Sequence, residues 1–547
     1  MSTTVYAGAV LAEAPRVLGL MDRGVESPTA GCGDRTYWAW KFVDFPAARL
    51  QESVSVLAFL YATPLAGSAF YRQPRLLEWI ERGLGFWSRL QHADGSFDEA
   101  YPFERSLAAT AFTTFYVGEA LERLGGALPA AATAAATETM ARAGCWLVRH
   151  DETHGFLSNH LAAAAAALLH AHRRSGERRF AARAAELLDR FLARQSAEGW
   201  YEEYGGADPG YQTHGSYYLA RCWQLGGDER LAASLARAAR FLAHFVHPDG
   251  SLGGEYASRD TQTYYPAAYE MLAPLDPASA WIAEALRPSI TGAATVTLGS
   301  VDLFNYCPFL NNFAAAHDAC AGRAPTAPAV DPTPAAGLSW FPDAGLARRR
   351  TASYDAFVGT AKGGVVKLFD RRRRELVYSD CGYLGRLRSG RPVSTQYLDR
   401  ARPTRAGDDA IEVEGHLAEL ARPAMTPALF LAFRLFTLTA GRLPPLARWL
   451  KRRLARALIH RRRPLAVRFL RRIEFGEGTV LVRDRLVGRD GDHLRELRWD
   501  PIFSTIHMGS ARYFVAHELH CFPAGGDVDP RAIAAGLELE RTASVGS

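Results

Sequence analysis

An asparagine and a histidine stand side by side where a polar segment meets a very Ala-rich stretch. In FLSNHLAAAAAALLHAH, Asn159 and His160 open what reads as a helix. One interpretation is structural, with Asn159 as a helix cap and His160 as a surface residue. The other is chemical: the Asn159 amide holds a substrate carboxylate through a hydrogen bond, and a neutral His160 accepts a proton. This pair is the first candidate for catalysis.

The segment 199–223, GWYEEYGGADPGYQTHGSYYLARCW, combines aromatic rings with acidic side chains and a histidine. Sugars stack on aromatic rings and offer hydroxyls to polar tips, so this composition suits a carbohydrate cleft. Tyr211 and His214 precede the predicted helix and are candidates for catalysis, whereas the tyrosines at helical spacing after them are expected in the core. Trp200 and Glu202 are candidates for substrate binding.

Two further breaks between helical segments supply arginines and a tyrosine. DEAYPFERSLAAT contains Arg105, and GGEYASRDTQTYYPAAYEM contains Arg259 and Tyr264. An arginine near tyrosines binds a uronate carboxylate through two parallel hydrogen bonds. The alternative is that Arg105 and Arg259 form ion pairs that hold their own loops in place.

The elements that must position these residues are helical hairpins. Residues 45–320 are rich in Ala, Leu and Arg at helical spacing, and similar breaks recur at Gly95, Gly155, Gly199 and Gly250, which lie 60, 44 and 51 residues apart. A period near 50 residues fits two helices and two loops. Such hairpins stack as an open solenoid or close into a ring. Because the breaks carry aromatic and acidic residues suited to a shared cleft, we favour an α/α toroid over residues 1–323.

The remainder of the chain changes character after a proline-rich stretch. APTAPAVDPTPAAG has four prolines in fourteen residues and predicts a linker over 324–345. Beyond it the apolar residues alternate with a period of two, which predicts an antiparallel β-sandwich over 346–547. A basic helical insertion is predicted within this domain, over 425–472.

These features together resemble the heparinase II/III-like polysaccharide lyases, which join a helical toroid to a β-sandwich. The resemblance implies that Asn159 neutralises a uronate carboxylate, while His160 and Tyr211 act as base and acid on C5–H and on the leaving oxygen. Asp380, Cys381 and Gly382 match the family's first sandwich motif, but no histidine follows them before His416. This departure argues against a catalytic histidine and a metal in the sandwich.

Metal ligands of the right types stand near the end of the chain at His507, His517, His520 and Cys521. An HxxH spacing on a strand places its two histidines on opposite faces, because three is an odd number. We therefore predict no metal, and no cofactor. The seven cysteines are scattered without a CxxC pair, which fits a reducing compartment better than a disulfide framework.

The charge is concentrated in one place. The formal net charge is +6, yet the stretch from Arg442 to Arg472 alone holds twelve Lys or Arg and no Asp or Glu, so the rest of the chain is net acidic. The helical part places Leu450, Leu454 and Trp449 on one face and arginines on the other, as in a helix that lies on an anionic membrane. Packing of this helix on the acidic toroid is the alternative. The Leu-rich face argues against nucleic acid as a partner.

We predict a lyase that acts on an acidic glycan by C5 proton abstraction and β-elimination. A uronyl C5-epimerase needs the same groups, and a glycoside hydrolase finds carboxylates at Asp94, Asp98, Glu202, Glu203 and Asp249. A non-catalytic glycan-binding scaffold is the remaining alternative. No secretion signal is recognisable in MSTTVYAGAVLAEAPRV, which predicts a cytoplasmic protein, peripheral at the inner face of the plasma membrane.

Overall fold

A helical domain is followed by a domain of two antiparallel sheets. The computed structural model describes residues 4–152, 157–324, 327–420, 425–459, 462–489, 493–506, 508–519 and 525–545. Four residues named above, Gly155, His507, His520 and Cys521, lie outside these ranges.

The helices of the first domain alternate between an inner and an outer layer. Their bounds are α1 (Val5–Leu20), α2 (Ser53–Ala62), α3 (Pro74–Leu90), α4 (Leu107–Leu124), α5 (Ala130–Arg149), α6 (Ser158–Ser175), α7 (Arg178–Leu192), α8 (Pro209–Gly226), α9 (Glu229–Ala243), α10 (Ala267–Leu272), α11 (Pro277–Leu286), α12 (Ser289–Gly292) and α13 (Leu303–Cys320). The inner helices α2, α4, α6, α8, α10 and α13 pack in this order, and α13 returns to α2. The ring is therefore closed, which confirms the toroid and excludes the solenoid.

The two layers differ in how their residues are buried. On α4 and α6 almost every side chain of the first three turns is buried, and the run Ala162–Ala167 is buried on all sides. Small side chains let α6 approach both α4 and α8. The outer helices α3, α7 and α9 bury one face only, as amphipathic surface helices do.

The second domain begins earlier than the sequence predicts. Its first sheet has the order β1 (Gly337–Phe341), β2 (Leu346–Arg350), β3 (Tyr354–Gly359), β4 (Val365–Asp370) and β5 (Glu375–Asp380). Strand β1 pairs with β2 through Leu338 and Trp340, so the end of the predicted 324–345 linker is part of the sheet. The proline-rich composition marks the link but not the residue at which pairing with β2 starts.

The second sheet contains β6 (Tyr383–Leu387), β7 (Pro392–Ser394), β8 (Thr404–Ala406), β9 (Ala410–Leu420), β10 (Arg462–Phe475), β11 (Thr479–Gly488), β12 (Leu494–Trp499), β13 (Asp527–Val528) and β14 (Leu537–Ser544). Two helices, α14 (Pro427–Leu438) and α15 (Pro444–Ile459), join β9 to β10. The predicted helical insertion over 425–472 is thus wrong in its last part. Val467, Phe469, Arg471 and Ile473 all face one side of β10, a period of two that the density of arginines conceals.

The first sheet has both faces covered. Ala356 and Val358 of β3 pack with Ile411, Val413 and Ile473 of the second sheet. Phe357, which points the other way, packs with Phe245 and Tyr256 of the toroid. One sheet therefore closes the sandwich and attaches it to the end of the toroid where the loops meet. None of the helices that the structure describes has the length and apolar composition needed to cross a bilayer.

Candidate active site

Asn159 lies in the first turn of α6, at the end of the toroid that faces the sheets. Leu157 is the residue before the helix and no side chain caps it, so the predicted capping role of Asn159 is wrong. The Asn159 side chain is 1% exposed, and its Nδ2 lies 3.5 Å from the hydroxyl of Tyr211. Its Oδ1 is buried without a hydrogen-bond partner among the described residues. A buried amide with spare hydrogen-bonding capacity is unusual in a purely structural position.

Tyr211 and His214 lie within α8 rather than before it. Asp208 precedes the helix and accepts a hydrogen bond from the Tyr211 N–H at 2.8 Å, and Pro209 occupies the first helical position. Residues three apart share a helix face, and the rings of Tyr211 and His214 meet edge to face with centroids 5.6 Å apart. The cap and the proline thus fix the start of α8, from which the Tyr211 hydroxyl reaches Asn159.

His214 is held as a neutral imidazole. Burial lowers its pKa well below the usual range, and the positive charges of Arg49 and Arg259 lower the pKa further. Its Nε2 lies 2.9 Å from the hydroxyl of Tyr218, and its ring stacks on Tyr265 with centroids 4.2 Å apart. The buried Nδ1 has no hydrogen-bond partner among the described residues.

His160 stands at the more accessible edge of the cluster. Its side chain is 18% exposed, and its Nδ1 lies 2.7 Å from Oε2 of Glu152. The ring meets Phe112 edge to face at 5.5 Å, and Phe112 also faces His214 at 6.1 Å. A carboxylate that binds one imidazole nitrogen fixes the ring and its tautomer, so that the other nitrogen can accept a proton.

Arg259 contacts the cluster through the ring of Tyr211. Its guanidinium lies 3.7 Å from the centre of the Tyr211 ring, and its Nη1 lies 3.3 Å from Oε2 of Glu203. Glu203 also accepts hydrogen bonds from the hydroxyl of Ser158 and from the N–H of Asn159, the latter at 3.2 Å. Arg259 and Glu203 therefore tie the start of α6 to the Tyr211 ring. The sequence predicts that Arg259 binds substrate. In the structure its guanidinium contacts Tyr211 and Glu203.

The glutamate that contacts the cluster is Glu203, not the predicted Glu202. Glu202 is half-buried, whereas Glu203 is wholly buried and forms an isolated antiparallel bridge with Leu157, directly before α6. Burial raises the pKa of Glu203, and the charge of Arg259 opposes this rise. The sequence had no signal for which of these two adjacent glutamates faces inward.

Three other predicted binding residues lie elsewhere. Arg105 forms an ion pair with Asp94 at 3.1 Å and donates to the Arg442 carbonyl at 2.9 Å, so the interpretation as a loop-holding residue is the one that fits. The ring of Trp200 lies 4.9 Å from the guanidinium of Arg400 of the sheet domain. Tyr264 is wholly buried with its ring beside Tyr269, and Tyr265 takes the place beside His214.

Sequence reasoning missed a second group of ion pairs, which lies beside the ring of Phe112. Arg49 lies 4.6 Å above the Phe112 ring, bonds to Glu52 and contacts Glu99 Oε1 at 3.0 Å. Burial raises the pKa of Glu52 to about 7, against the opposing effect of Arg49. No motif marks these residues, because they come from a turn before α2 and a loop before α4.

The carboxylates proposed for a hydrolase have local structural partners. Asp94 accepts hydrogen bonds from the N–H and hydroxyl of Ser96 at 3.0 and 2.6 Å, and Asp249 bonds in the same way to Ser251 at 2.8 and 2.6 Å. Both close the turns that recur between the helices. Their place in the turns argues against Asp94 and Asp249 as a pair of acid and base.

Of the four candidate metal ligands near the end of the chain, only His517 is described. Its side chain is buried, and its Nε2 lies 3.4 Å from Nζ of Lys367.

The geometry can be compared with known proteins. Residues 49–278 match the family model described as the ulvan lyase N-terminal domain. Most of the helical domain is therefore similar to the N-terminal domain of ulvan lyases. The family resemblance and the fold class predicted from the sequence are thereby confirmed, and an enzyme of the lyase type is the class that the match supports. Heparinase II/III-type specificity stays a prediction.

Solved structures show the same architecture at low identity. The chondroitin AC lyase of Streptomyces coelicolor A3 superposes with a TM-score of 0.56 at 13% identity, covering 90% of this chain and 67% of that one. A Paenibacillus xanthan lyase superposes with a TM-score of 0.55 at 9% identity, covering 90% of this chain and 46% of that one. The chain thus spans about half the length of the xanthan lyase. No curated protein sequence is significantly similar to this chain.

Proposed function

We propose that this protein cleaves a uronate-containing glycan by β-elimination. The observation that carries the proposal is one cluster in which a buried amide, a tyrosine hydroxyl and two imidazoles converge at the mouth of the toroid. Tyr211 contacts both Asn159 and His214, and His160 with its Glu152 partner forms the accessible edge. These are the groups that a uronate lyase needs: a carboxylate binder, a base and an acid.

The reaction assigns one task to each group. The Asn159 amide donates a hydrogen bond to the uronate carboxylate and stabilises the negative charge that grows there as the C5 proton leaves. His160 accepts that proton at Nε2, while Glu152 holds Nδ1; His214, with its unpaired Nδ1, is the alternative base. The electrons of the C5–H bond form the C4–C5 double bond. The bond from C4 to the leaving oxygen breaks, and Tyr211 donates a proton to that oxygen.

A panel of uronate polysaccharides tests the proposal. A lyase releases fragments with a C4–C5 double bond, which absorb in the ultraviolet. Deuterium uptake at C5 in heavy water without new absorbance would indicate the epimerase, and new reducing ends without absorbance would indicate the hydrolase. No change in any of the three measurements would leave the glycan-binding scaffold.

A variant of Asn159 makes the test specific. Asn159→Asp keeps the shape but puts a negative charge against the substrate carboxylate, so we expect activity to disappear. Asn305→Asp is a matched control, because Asn305 contacts Tyr513 and Asp302 at the start of α13 and none of the cluster residues. Full activity of Asn159→Asp would contradict the proposed role.

We also propose that the protein docks on an anionic membrane through α14 and α15. Leu431, Leu435 and Trp449 are 70%, 65% and 50% exposed, and segment 425–459 contains no Asp or Glu. The opposite side attaches to the toroid: Phe433 meets Tyr101 at 5.1 Å, and Arg434 bonds to Asp44 at 2.6 Å. An apolar face that the described chain leaves uncovered, flanked only by cations, suits a lipid interface.

The structure changes which residues would make this contact. In the predicted basic stretch, Arg471 is buried between Asp380 and Asp484, and Arg468 and Arg472 pair with glutamates on β9 and β10. Arg468, Arg471 and Arg472 are therefore committed to the sheet. Binding would depend mainly on the apolar face, helped by exposed cations such as Arg448 and Arg453.

Flotation with vesicles tests the membrane contact. We expect wild type to float with vesicles containing anionic lipid, and a Leu431→Ser, Leu435→Ser double variant to stay at the bottom. Arg468→Ser on the sheet is the control. Equal flotation of wild type and the double variant would refute the proposal, and concentration-dependent dimers that the double variant abolishes would assign the face to a second copy of the chain. The predicted location of the protein, at the cytoplasmic face of the plasma membrane, depends on this membrane contact.

A further inference from the structure

A cavity of about 260 Å³ lies at the outer edge of the junction between the toroid and the first sheet. The toroid contributes Val246–Pro248 after α9 and Trp281 and Ala285 on α11 to its walls. Arg371 and Arg374 in the turn between β4 and β5, with Asp331, Arg350 and Asp355, complete them. It shares no residue with the cluster around Asn159. A binding event here would not require the proposed catalytic groups.

The cavity holds more positive than negative charge. Three arginines line it, Arg350, Arg371 and Arg374, against Asp331 and Asp355. Both aspartates are engaged by Arg350, at 2.7 Å to Asp331 and 3.0 Å to Asp355. The lining therefore keeps one net positive charge, carried by the arginines of the turn.

Arg371 and Arg374 keep unused donors. The Arg371 Nη1 donates to the Thr351 carbonyl at 2.7 Å and comes no closer than 3.9 Å to Asp355. The Arg374 Nε donates to the Pro248 carbonyl at 2.8 Å. A guanidinium has five N–H donors in a fixed plane, so each group can also bind an anion through two parallel hydrogen bonds. The backbone contacts hold the guanidinium groups at the cavity and thereby reduce the entropy cost of binding.

Trp281 adds an apolar surface to this basic wall. Its side chain is half-buried: one part packs on the toroid core and the other lines the cavity. An indole face beside arginines is a typical surface for a sugar ring that carries an acidic group, because the ring stacks while the acid is paired. A bare inorganic anion would make no use of the indole.

We infer that this cavity is a second binding site for an anionic glycan, outside the catalytic cleft. The ligand is a sugar unit bearing a carboxylate or a sulfate ester, with the acid on Arg371 and Arg374 and the ring on Trp281. That this ligand is a distant part of the substrate polymer rests on the proposed function. That the cavity binds an anionic glycan does not depend on it. A second contact on the same chain raises the affinity for long polymers without changing the chemistry in the cleft.

Binding is measured on the Tyr211→Phe background, so that the polymer stays intact. The probes are alginate, chondroitin sulfate and ulvan as anionic glycans, dextran as a neutral glycan and polyphosphate as an anion without sugar rings. We expect Arg374→Ala to weaken binding of at least one anionic glycan about tenfold or more, as the loss of one charge-assisted hydrogen bond implies. Trp281→Ala should weaken the same glycan, and dextran should not bind.

Arg372→Ala is the matched control, because Arg372 belongs to the same exposed turn but does not line the cavity. If Trp281→Ala unfolds, binding is measured with Trp281→Phe and with Arg374→Ala, which changes an exposed residue. With Tyr211 intact, Arg374→Ala should raise KM for long polymer and leave turnover of a short oligosaccharide unchanged. Loss of binding in Arg374→Ala without lyase activity in wild type would refute the proposed function alone.

Two results would overturn the inference. One is equal affinity of Arg374→Ala, Trp281→Ala and the parent for every glycan. The other is tight binding of polyphosphate that does not depend on Trp281, which would make the cavity a general anion site.

Discussion

Removing the hydroxyl of Tyr211 separates its chemical role from its structural one. Tyr211→Phe keeps the ring, and with it the contact at 3.7 Å to the Arg259 guanidinium and the edge contact with His214. The only described hydrogen bond that is lost is the one from Asn159 Nδ2, at 3.5 Å, which is the limit of hydrogen-bond distance. The change therefore removes one proton donor and almost no packing.

The two effects differ in size. A net hydrogen bond contributes about 0.5–1.5 kcal/mol to folding, and one this long belongs at the lower end, about 0.5 kcal/mol. A general acid contributes about 10²–10⁴-fold to the rate, or about 2.7–5.4 kcal/mol of transition-state stabilisation. We expect kcat to fall by at least about two orders of magnitude while the free energy of unfolding changes little.

The assay follows the unsaturated product by its ultraviolet absorbance, with urea unfolding of the same preparations. Tyr217→Phe is the control, since Tyr217 lies on the same helix with its ring packed on Phe115 at 5.7 Å. If Tyr211→Phe folds normally and keeps most of the wild-type kcat, Tyr211 is not the proton donor and the assignment is refuted.

Three further predictions concern other parts of the molecule. His160→Gln should lower kcat about 10²-fold or more, and Glu152→Gln, which removes the negative charge 2.7 Å from Nδ1, about tenfold; equal turnover by both variants and wild type would exclude His160 as base. Burial, together with the charges of Lys367 and His517, holds the pKa of His247 well below its usual range, so below about pH 6.5 the unfolded chain binds one more proton. The free energy of unfolding should then fall with decreasing pH by about 1.4 kcal/mol per unit more steeply in wild type than in His247→Gln, and parallel urea-unfolding curves would contradict this. Arg471→Met leaves the buried carboxylates of Asp380 and Asp484 to share Arg541, with one uncompensated negative charge, and should cost about 3 kcal/mol in urea unfolding, whereas the exposed Arg472→Met should cost no more than about 1 kcal/mol.

The sequence by itself determined the architecture and the segments that form the cluster. Helical spacing with recurring breaks predicts hairpins, and alternation after the proline-rich stretch predicts a sheet domain, because both periods follow from backbone geometry. The two periods are local properties, and the structure agrees with them; Tyr211 and His214, expected before a helix, lie within α8 instead.

Where a period is short or hidden by composition, the sequence was misleading. Arg468, Arg471 and Arg472 suggested a basic helix, yet they alternate across β10, and only Arg471 turns inward to Asp380 and Asp484. A shift of one residue along a strand moves a side chain from one face to the other, and a high density of charge does not indicate which face each arginine takes.

Only the tertiary structure decided which side chains meet. Ring closure brings the starts of α4, α6 and α8 together, so that Phe112 lies between His160 and His214. It also selects Glu203 over Glu202 and Tyr265 over Tyr264, because neighbours in sequence point in different directions. The neutral state of His214 depends on burial and on cations from distant loops, which no local pattern records. Contacts between residues far apart in sequence arise when the chain packs, and for this reason the details of the site came from the fold.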